Sequence, residues 1–228
     1  MNFLALDTSS DACSAALQYQ GQTLQRHVVE AKQHTELLMP MIRQLLKEAG
    51  AALADLDAVV LGNGPGSFIG LRIAASVAQG LAYGAGLKIV PVSSLAAVAA
   101  ECMASGTAGN VAVTQDAHMG EVYLGLFAAG AGGVPSALAD EILHGRTRIA
   151  ALQDGAWTAA GAGWQRYPEL LEANRERFAH VSDVRVPRAT YLLQNAAAAW
   201  QAGMAIEPQF LAPAYIRMKV AEKSASAG

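Results

Sequence analysis

The segment GNGPGSFIGLR at positions 62–72 constrains the fold more than any other stretch of the sequence. It lies between an apolar run, AVVL, and an alanine-rich segment, IAASVAQGLAYG. A glycine loop between a strand and a helix is a setting in which free backbone N–H groups bind an anion. Glycines equally favour a tight corner in which the strand and the helix pack closely. Both interpretations stay open, and the weak candidates for nucleotide binding are Asp7, Gly64, Gly66 and Ser67.

The spacing of the glycines matches neither standard nucleotide-binding motif. A P-loop requires a lysine followed by serine or threonine after its second glycine, and no lysine follows here. The GxGxxG motif of dinucleotide-binding folds fails because Ser67 stands in place of the third glycine. We therefore expect no firmly bound cofactor, and we expect any binding of ATP or ADP to be weak or shared with another subunit.

The first half of the chain predicts the element order βββαβαβα. Residues 34–50 show the apolar spacing of one helical face, with Thr35 as the expected N-cap and Gly50 as the stop. A second helix is expected from Ser67 to Tyr83, with Gly84 at its end, and Ser93 or Ser94 caps a third. This order is typical of one lobe of the actin, sugar-kinase and Hsp70 superfamily.

The second half repeats the beginning of that pattern. The segment VAVTQDAHMGEVYLGLFA predicts two strands around a tight turn at residues 118–120. GAGGVPSALAD is expected to be a surface loop, TRIAALQ and ATYLLQNAAAAWQAG helices, and AEKSASAG a frayed end. The predicted fold is an actin-like or sugar-kinase-like α/β fold of two lobes, residues 1–106 and a reduced second lobe, residues 107–228.

Composition limits the functional classes. Hydrophobic residues make up 53% and charged residues 15%, which indicates an ordered chain with apolar surface buried against another subunit. A net charge of −3 gives no general attraction for nucleic acid. Cys13 and Cys102 lie in apolar runs, as buried free thiols do in a reducing compartment. With neither a basic leader nor an apolar stretch of membrane-spanning length, we expect a cytoplasmic protein without membrane contact.

The candidates for acid, base or nucleophilic chemistry carry carboxyl or hydroxyl groups. Asp7 and Asp116 end predicted strands at equivalent places, where phosphate-transferring relatives of the superfamily keep acids near Mg²⁺; capping of the strand end is the favoured alternative. The histidines show no HxxxH spacing, so no metal site is expected. No residue is assigned a catalytic role. The candidates are Asp7, Asp11, Asp116, Glu121, Ser9 and Ser67.

Several motifs together resemble the TsaB family, also called YeaZ. They are LALDTSSDACSAAL, HTELLMPMI, GNGPGSFIGLRIAASVAQGLA, DAHMGEVYLGLF, GAGW and APAYIR, in this order along nearly the whole chain. The family is the partner subunit in bacterial biosynthesis of N6-threonylcarbamoyladenosine in tRNA. The resemblance implies an actin-like fold, association with the related catalytic subunit TsaD and the ATPase TsaE, and tRNA contact through that complex. The isolated chain is expected to form a homodimer.

Three departures from the family pattern limit what is carried over. Ile69 stands where the family loop commonly has threonine, Ala74 where glycine is common, and His118 where a basic residue is usual. Ile69 removes a hydroxyl group that could contact a phosphate. The following residues are therefore treated as the structural signature of the loop: Gly64, Pro65, Gly66, Ser67 and Arg72.

The helix after the glycine loop is the expected partner surface. It is apolar almost all round, and its semi-polar residues fall on one narrow stripe, while small residues would let a helix of another subunit approach. The alternative is a helix buried within its own lobe. The expected interface residues are Gly70, Arg72, Ala74, Ser76, Ala78, Gln79 and Tyr83. The rival functions are an ATP-binding phosphotransferase-like enzyme and a glycoprotease-like peptidase.

Overall fold

The computed structural model describes residues 1–30, 33–107, 109–153 and 156–217. The strands are β1 (Phe3–Asp7), β2 (Ala12–Tyr19), β3 (Gln22–Val29), β4 (Ala58–Gly62), β5 (Lys88–Val92), β6 (Asn110–Asp116), β7 (Val122–Ala129), β8 (Pro135–Ala137), β9 (Ile142–His144), β10 (Trp157–Ala160) and β11 (Phe178–Val181). The helices are α1 (His34–Ala49), α2 (Phe68–Ala85), α3 (Ser94–Ala104), α4 (Ala162–Arg166), α5 (Pro168–Ala173) and α6 (Ala189–Gln201).

The strands form two sheets with the same internal order. The first sheet runs β3-β2-β1-β4-β5, and the second runs β8-β7-β6-β10-β11, with β9 also paired to β7. In both sheets the first three strands are antiparallel and the last two run parallel to the central strand. The predicted two-lobed α/β fold is therefore confirmed. The second sheet is reduced in strand length, since β8 has 3 residues and β10 and β11 have 4 each.

Helices cover both faces of the first sheet, because successive residues of a buried strand point to opposite sides. Leu4, Leu6 and Val59 pack against α1 and α2, whereas Phe3 and Val60 pack against α6. Helix α3 covers the second sheet. The C-terminal helix thus returns to the first sheet, while α3 packs on the second. A lobe boundary between residues 106 and 107 stays a prediction.

The helix ends follow the predicted signals in part. Gln33 precedes α1 and makes no side-chain cap, so Thr35, inside the first turn, is not the N-cap, whereas Gly50 ends the helix with φ +63°. Helix α2 continues through Gly84 and ends at Gly86, because Gly86 adopts the left-handed conformation and donates its N–H to the carbonyls of the last turn. Ser93 is the cap of α3.

Two predictions for the second half are wrong. Segment 147–153 contains no helix, because the Asn174 side chain accepts a hydrogen bond from the Ile149 N–H and donates one to the Thr147 carbonyl. Segment 130–140 is not entirely loop, since it contains β8. The helix α6 and the tight turn at residues 118–120 are confirmed, and all three residues of the turn have positive φ. The segment AEKSASAG lies outside the described residues.

Candidate functional site

The glycine loop packs against the end of β1. A Cβ atom built on Gly62, Gly66 or Gly70 would lie between 1.8 and 2.1 Å from an atom of residues 7–9. Side chains cannot occupy such distances, so these three positions require glycine for close approach of the backbone. The Thr8 hydroxyl adds a hydrogen bond of 2.7 Å to the Gly70 carbonyl.

The backbone amides of the loop are mostly used within the chain. The Ser67 N–H donates to the Ser9 carbonyl at 2.6 Å, and the Gly64 N–H donates to the Ser94 hydroxyl at 3.1 Å. The Ser67 hydroxyl caps α2 by accepting from the Gly70 N–H at 3.2 Å. An anion cradle needs such amides unpaired and turned toward the ligand. The geometry therefore favours the tight-corner interpretation of the loop.

Asp7 is buried against the glycine loop. It is 1% exposed, and its carboxylate accepts hydrogen bonds from the N–H and hydroxyl of Ser9 and from the Ser94 hydroxyl. Burial raises the pKa of Asp7, while these hydrogen bonds oppose the rise. Because the Asp7 carboxylate joins the end of β1 to the start of α3, its geometry is that of a structural cap at a strand end.

Asp116 occupies the equivalent end of β6 and is more accessible. It accepts hydrogen bonds from the His118 N–H at 2.8 Å and from the Tyr167 hydroxyl at 2.9 Å. Burial, together with the Asp116 carboxylate, raises the pKa of Tyr167. Glu121 lies further along the turn and pairs with Arg217 at 2.5 Å. Among the described residues, neither the Asp116 nor the Glu121 carboxylate is hydrogen-bonded to a serine, threonine or cysteine side chain that could act as a nucleophile.

A central cleft between the two sheets gathers part of the sequence-predicted set. Its cavity has a volume of about 170 Å³. Asp7 and Glu121 do not line it. The predicted residues that do are Ser9, Asp11, Ser67 and Asp116. Within the described residues, no group of three or more histidine, cysteine or acidic side chains is arranged to hold a metal ion. No helix in that part of the chain is long and apolar enough to span a bilayer.

The structure separates the two parts of the predicted interface on α2, because most of the semi-polar stripe is exposed whereas the small residues are buried. Gly70, Ala74 and Ala78 are buried within the chain itself, because they face the first sheet, so no helix of another subunit can approach at these positions. The Gln79 side chain donates to the Pro208 carbonyl of the C-terminal segment. The Arg72 side chain likewise donates to the Tyr215 hydroxyl at 2.9 Å.

The open side of α2 presents Tyr83, which was a predicted interface residue, together with apolar residues that were not in the predicted set. Ile69 is 70% and Tyr83 is 77% exposed. A groove of about 470 Å³ runs between α1 and α2, and Ile69, Ile73 and Val77 line it at a spacing of four residues. That spacing was the available signal. We define the docking face as Met39, Ile69, Arg72, Ile73, Ser76, Val77 and Tyr83.

Comparisons with known proteins identify the family. Residues 28–152 match the family model described as "TsaD: tRNA N6-adenosine threonylcarbamoyltransferase". The chain is 34% identical to "tRNA threonylcarbamoyladenosine biosynthesis protein TsaB" of Haemophilus influenzae, over 98% of this chain and 96% of the relative. It is also 34% identical to the Escherichia coli protein of that name, over 98% and 97%. The solved structure "YeaZ from Pseudomonas aeruginosa" superposes with a TM-score of 0.85 at 36% identity, over 94% of this chain and 99% of that chain. This chain therefore belongs to the TsaB (YeaZ) family.

Proposed function

We propose that this protein is a non-catalytic subunit required for making threonylcarbamoyladenosine in tRNA. It acts by association with a TsaD-type subunit and with TsaE, and it supports transfer of the threonylcarbamoyl group to the adenosine 3′ of the anticodon. Relatives that share 34% identity over nearly the whole chain carry the name of a tRNA threonylcarbamoyladenosine biosynthesis protein, which supports this assignment. The work takes place in the cytoplasm, and tRNA is reached through the complex.

The docking face is the observation that carries the proposal. Two large apolar side chains, Ile69 and Tyr83, are more than two-thirds exposed on one helix, beside an apolar groove. Ile69 lines this groove together with Ile73 and Val77, and contiguous exposed apolar surface of this kind marks protein–protein contact sites. No residue of the docking face is a candidate for acid, base or nucleophilic chemistry, but the face suits a partner that offers an apolar pair of helices.

The choice of partner follows from the same helices. The TsaD family model matches residues 28–152, a range that contains both α1 and α2. A TsaD subunit would therefore carry an equivalent helix pair, and two such pairs can meet in a pseudo-symmetric contact. In the absence of that subunit, a second copy of this chain offers the same face, which supports a homodimer of the isolated protein.

The phosphotransferase alternative receives less support from the geometry. It needs loop amides directed at a phosphate and an acid accessible to Mg²⁺. The amides of Gly64 and Ser67 are hydrogen-bonded within the chain, and Asp7 is buried. No specific observation favours the peptidase alternative.

Substitution of Ser76 tests the docking face. Ser76 is exposed and lines the groove, so Ser76→Arg places a charge at a desolvated contact and should abolish association with TsaD and with a second copy. The melting temperature should stay within a few degrees, because an exposed side chain has little effect on the monomer. Gln44→Arg is the control, since Gln44 is exposed on α1 and does not line the groove.

Size-exclusion chromatography with light scattering measures the assembly of both variants. Normal assembly of Ser76→Arg would show that the face points to water, and loss of folding would show that the position is internal. Reconstitution of tRNA modification from purified TsaD, TsaE and the enzyme that forms the threonylcarbamoyl adenylate then tests the function. The reaction should require this chain and should fail with Ser76→Arg.

A further inference from the structure

A second large cavity lies at the seam between the two sheets, apart from the docking face. It has a volume of about 600 Å³, within the range of roughly 300–1,000 Å³ that is typical of ligand pockets. Its walls come from the edge strands β3 and β11, the C-terminal end of α3, and segment 182–188, which leads into α6. We call it the seam cavity. The proposed function makes no use of it.

Arg188 gives the seam cavity a positive group with unused donors. Its Nε lies 3.0 Å from Glu101 Oε1, and its side chain is 40% exposed. The two terminal nitrogens have no hydrogen-bond partner among the described residues. Arg188 also precedes the first turn of α6, whose N-terminal N–H groups add partial positive charge. A planar guanidinium with two free nitrogens matches the two oxygens of a carboxylate.

His27 lies on the same wall and carries no charge near neutral pH. Burial, together with the charge of Arg188, lowers the pKa of His27 to about 4. Both ring nitrogens are buried and have no hydrogen-bond partner within the described part of the chain. Unpaired buried polar atoms are uncommon in folded proteins and indicate a missing water or ligand.

Acceptors for a positive group lie beside Arg188. Glu101 Oε2 is buried and unpaired among the residues that the structure describes. Burial raises the pKa of Glu101, while the neighbouring Arg188 opposes the rise. Asp183 adds a fully exposed carboxylate, 3.4 Å from Arg185. Each arginine of the cavity thus already has one acidic neighbour, and that carboxylate would repel a ligand that carries only negative charge.

We propose that the seam cavity binds a small zwitterion of the amino-acid type, with its carboxylate on Arg188 and its ammonium group facing Glu101 and Asp183. The apolar part of the ligand packs against Val29, which is 59% exposed, and against Val184 and Val186. A ligand with both charges complements the two ion pairs without leaving an unpaired charge in the cavity. Ordered water is the other possible source of the missing hydrogen bonds.

Three matched compounds test this assignment by titration calorimetry on the full chain. L-leucine carries both charges, 4-methylpentanoate lacks the ammonium group, and 3-methylbutan-1-amine lacks the carboxylate. L-leucine should bind, and each analogue should bind at least about tenfold more weakly, since each loses one charge-assisted contact. No binding of L-leucine up to about 10 mM would mean that water alone fills the cavity. Equal binding of either analogue would also overturn the proposal.

Variants locate the site. Asp183→Asn changes a fully exposed side chain, so the fold should be retained, and it should weaken L-leucine binding several-fold. The double variant Glu101→Gln/Arg188→Gln removes both charges of the Glu101–Arg188 pair together and should abolish binding. Arg148→Gln is the control, because it breaks a surface pair with Glu176 elsewhere on the chain. L-leucine binding that is unchanged by Asp183→Asn, or weakened as much by Arg148→Gln, would refute the assignment.

Discussion

Replacing Gly70 with alanine tests the tight-corner interpretation of the glycine loop. The new Cβ atom would lie 1.8 Å from the Thr8 carbonyl oxygen, whereas ordinary contacts begin at 3.4 Å. The backbone must therefore move by about 1.6 Å, because the clashing atom is a backbone carbonyl directly after β1 and does not belong to a flexible side chain. Such movement also pulls the Gly70 carbonyl away from the Thr8 hydroxyl, which it meets at 2.7 Å.

The magnitude follows from these two losses. Overpacking of a closed site costs about 1–3 kcal/mol, and loss of a buried hydrogen bond costs about 1–2 kcal/mol more. The gain in helix propensity from glycine to alanine, about 1 kcal/mol, works in the opposite direction. Gly80 provides a matched control, because it lies in the same helix and a Cβ atom there meets nothing within 4 Å. The propensity gain is common to both variants, so Gly70→Ala should be less stable than Gly80→Ala by about 2–5 kcal/mol.

Denaturant unfolding of both variants and the parent chain measures this difference. Gly80→Ala should match or exceed the parent chain, and Gly70→Ala should fall below it. In thermal unfolding the two variants should differ by roughly 4–20 °C, given about 2–4 °C per kcal/mol for a chain of this size. If the two variants agree within about 1 kcal/mol, the loop is free to open, and the interpretation of the glycines as packing positions is wrong.

Three further outcomes are expected. Glu141→Gln should remove a pH dependence of stability, because burial raises the pKa of Glu141 from 4.5 to about 7. The contribution of Glu141 to stability is present below pH 4.5 and is lost as the pH rises through 7. Unfolding of the variant and the parent chain at pH 5 and pH 7.5 measures this loss. Asn174→Ala should cost about 2–4 kcal/mol in denaturant unfolding, because the buried side chain bonds the Ile149 N–H and the Thr147 and Leu170 carbonyls. Calorimetry with ATP and Mg²⁺ should show little heat, and a submicromolar dissociation constant would revive the phosphotransferase alternative.

Local patterns in the sequence predicted most of the first lobe. The helical spacing of α1, the left-handed stop at Gly50 and the serine caps of α2 and α3 depend on residues close together in the chain. Apolar runs likewise predicted β1, β4 and β5. The helix predicted for segment 147–153 is wrong because backbone groups of this segment bond to Asn174, which lies more than twenty residues away. No local signal contains that partner.

The exposed side of α2 was predicted only in part for the same reason. The sequence predicted a partner contact on α2 through both its semi-polar stripe and its small residues, because local spacing does not show which side of an almost wholly apolar helix meets the first sheet. Burial of Ala74 and Ala78 leaves Ile69 and Val77 on the open side. The seam cavity joins β3, α3, β11 and the start of α6, so its residues are separated by up to 161 positions, from His27 to Arg188. Nothing in their spacing could have revealed it.

The glycine corner is closely packed, whereas the docking face leaves apolar surface exposed, and both features agree with the proposed role. Binding of a phosphate at this loop would require free backbone amides and space for the anion beside the end of β1. Here Gly62, Gly66 and Gly70 allow residues 7–9 to fill that space. The interior thus gains packing where a ligand would need room, while apolar area on α2 stays exposed. A change at Gly70 should therefore lower stability, whereas a change at Ser76 should affect assembly and leave the monomer intact.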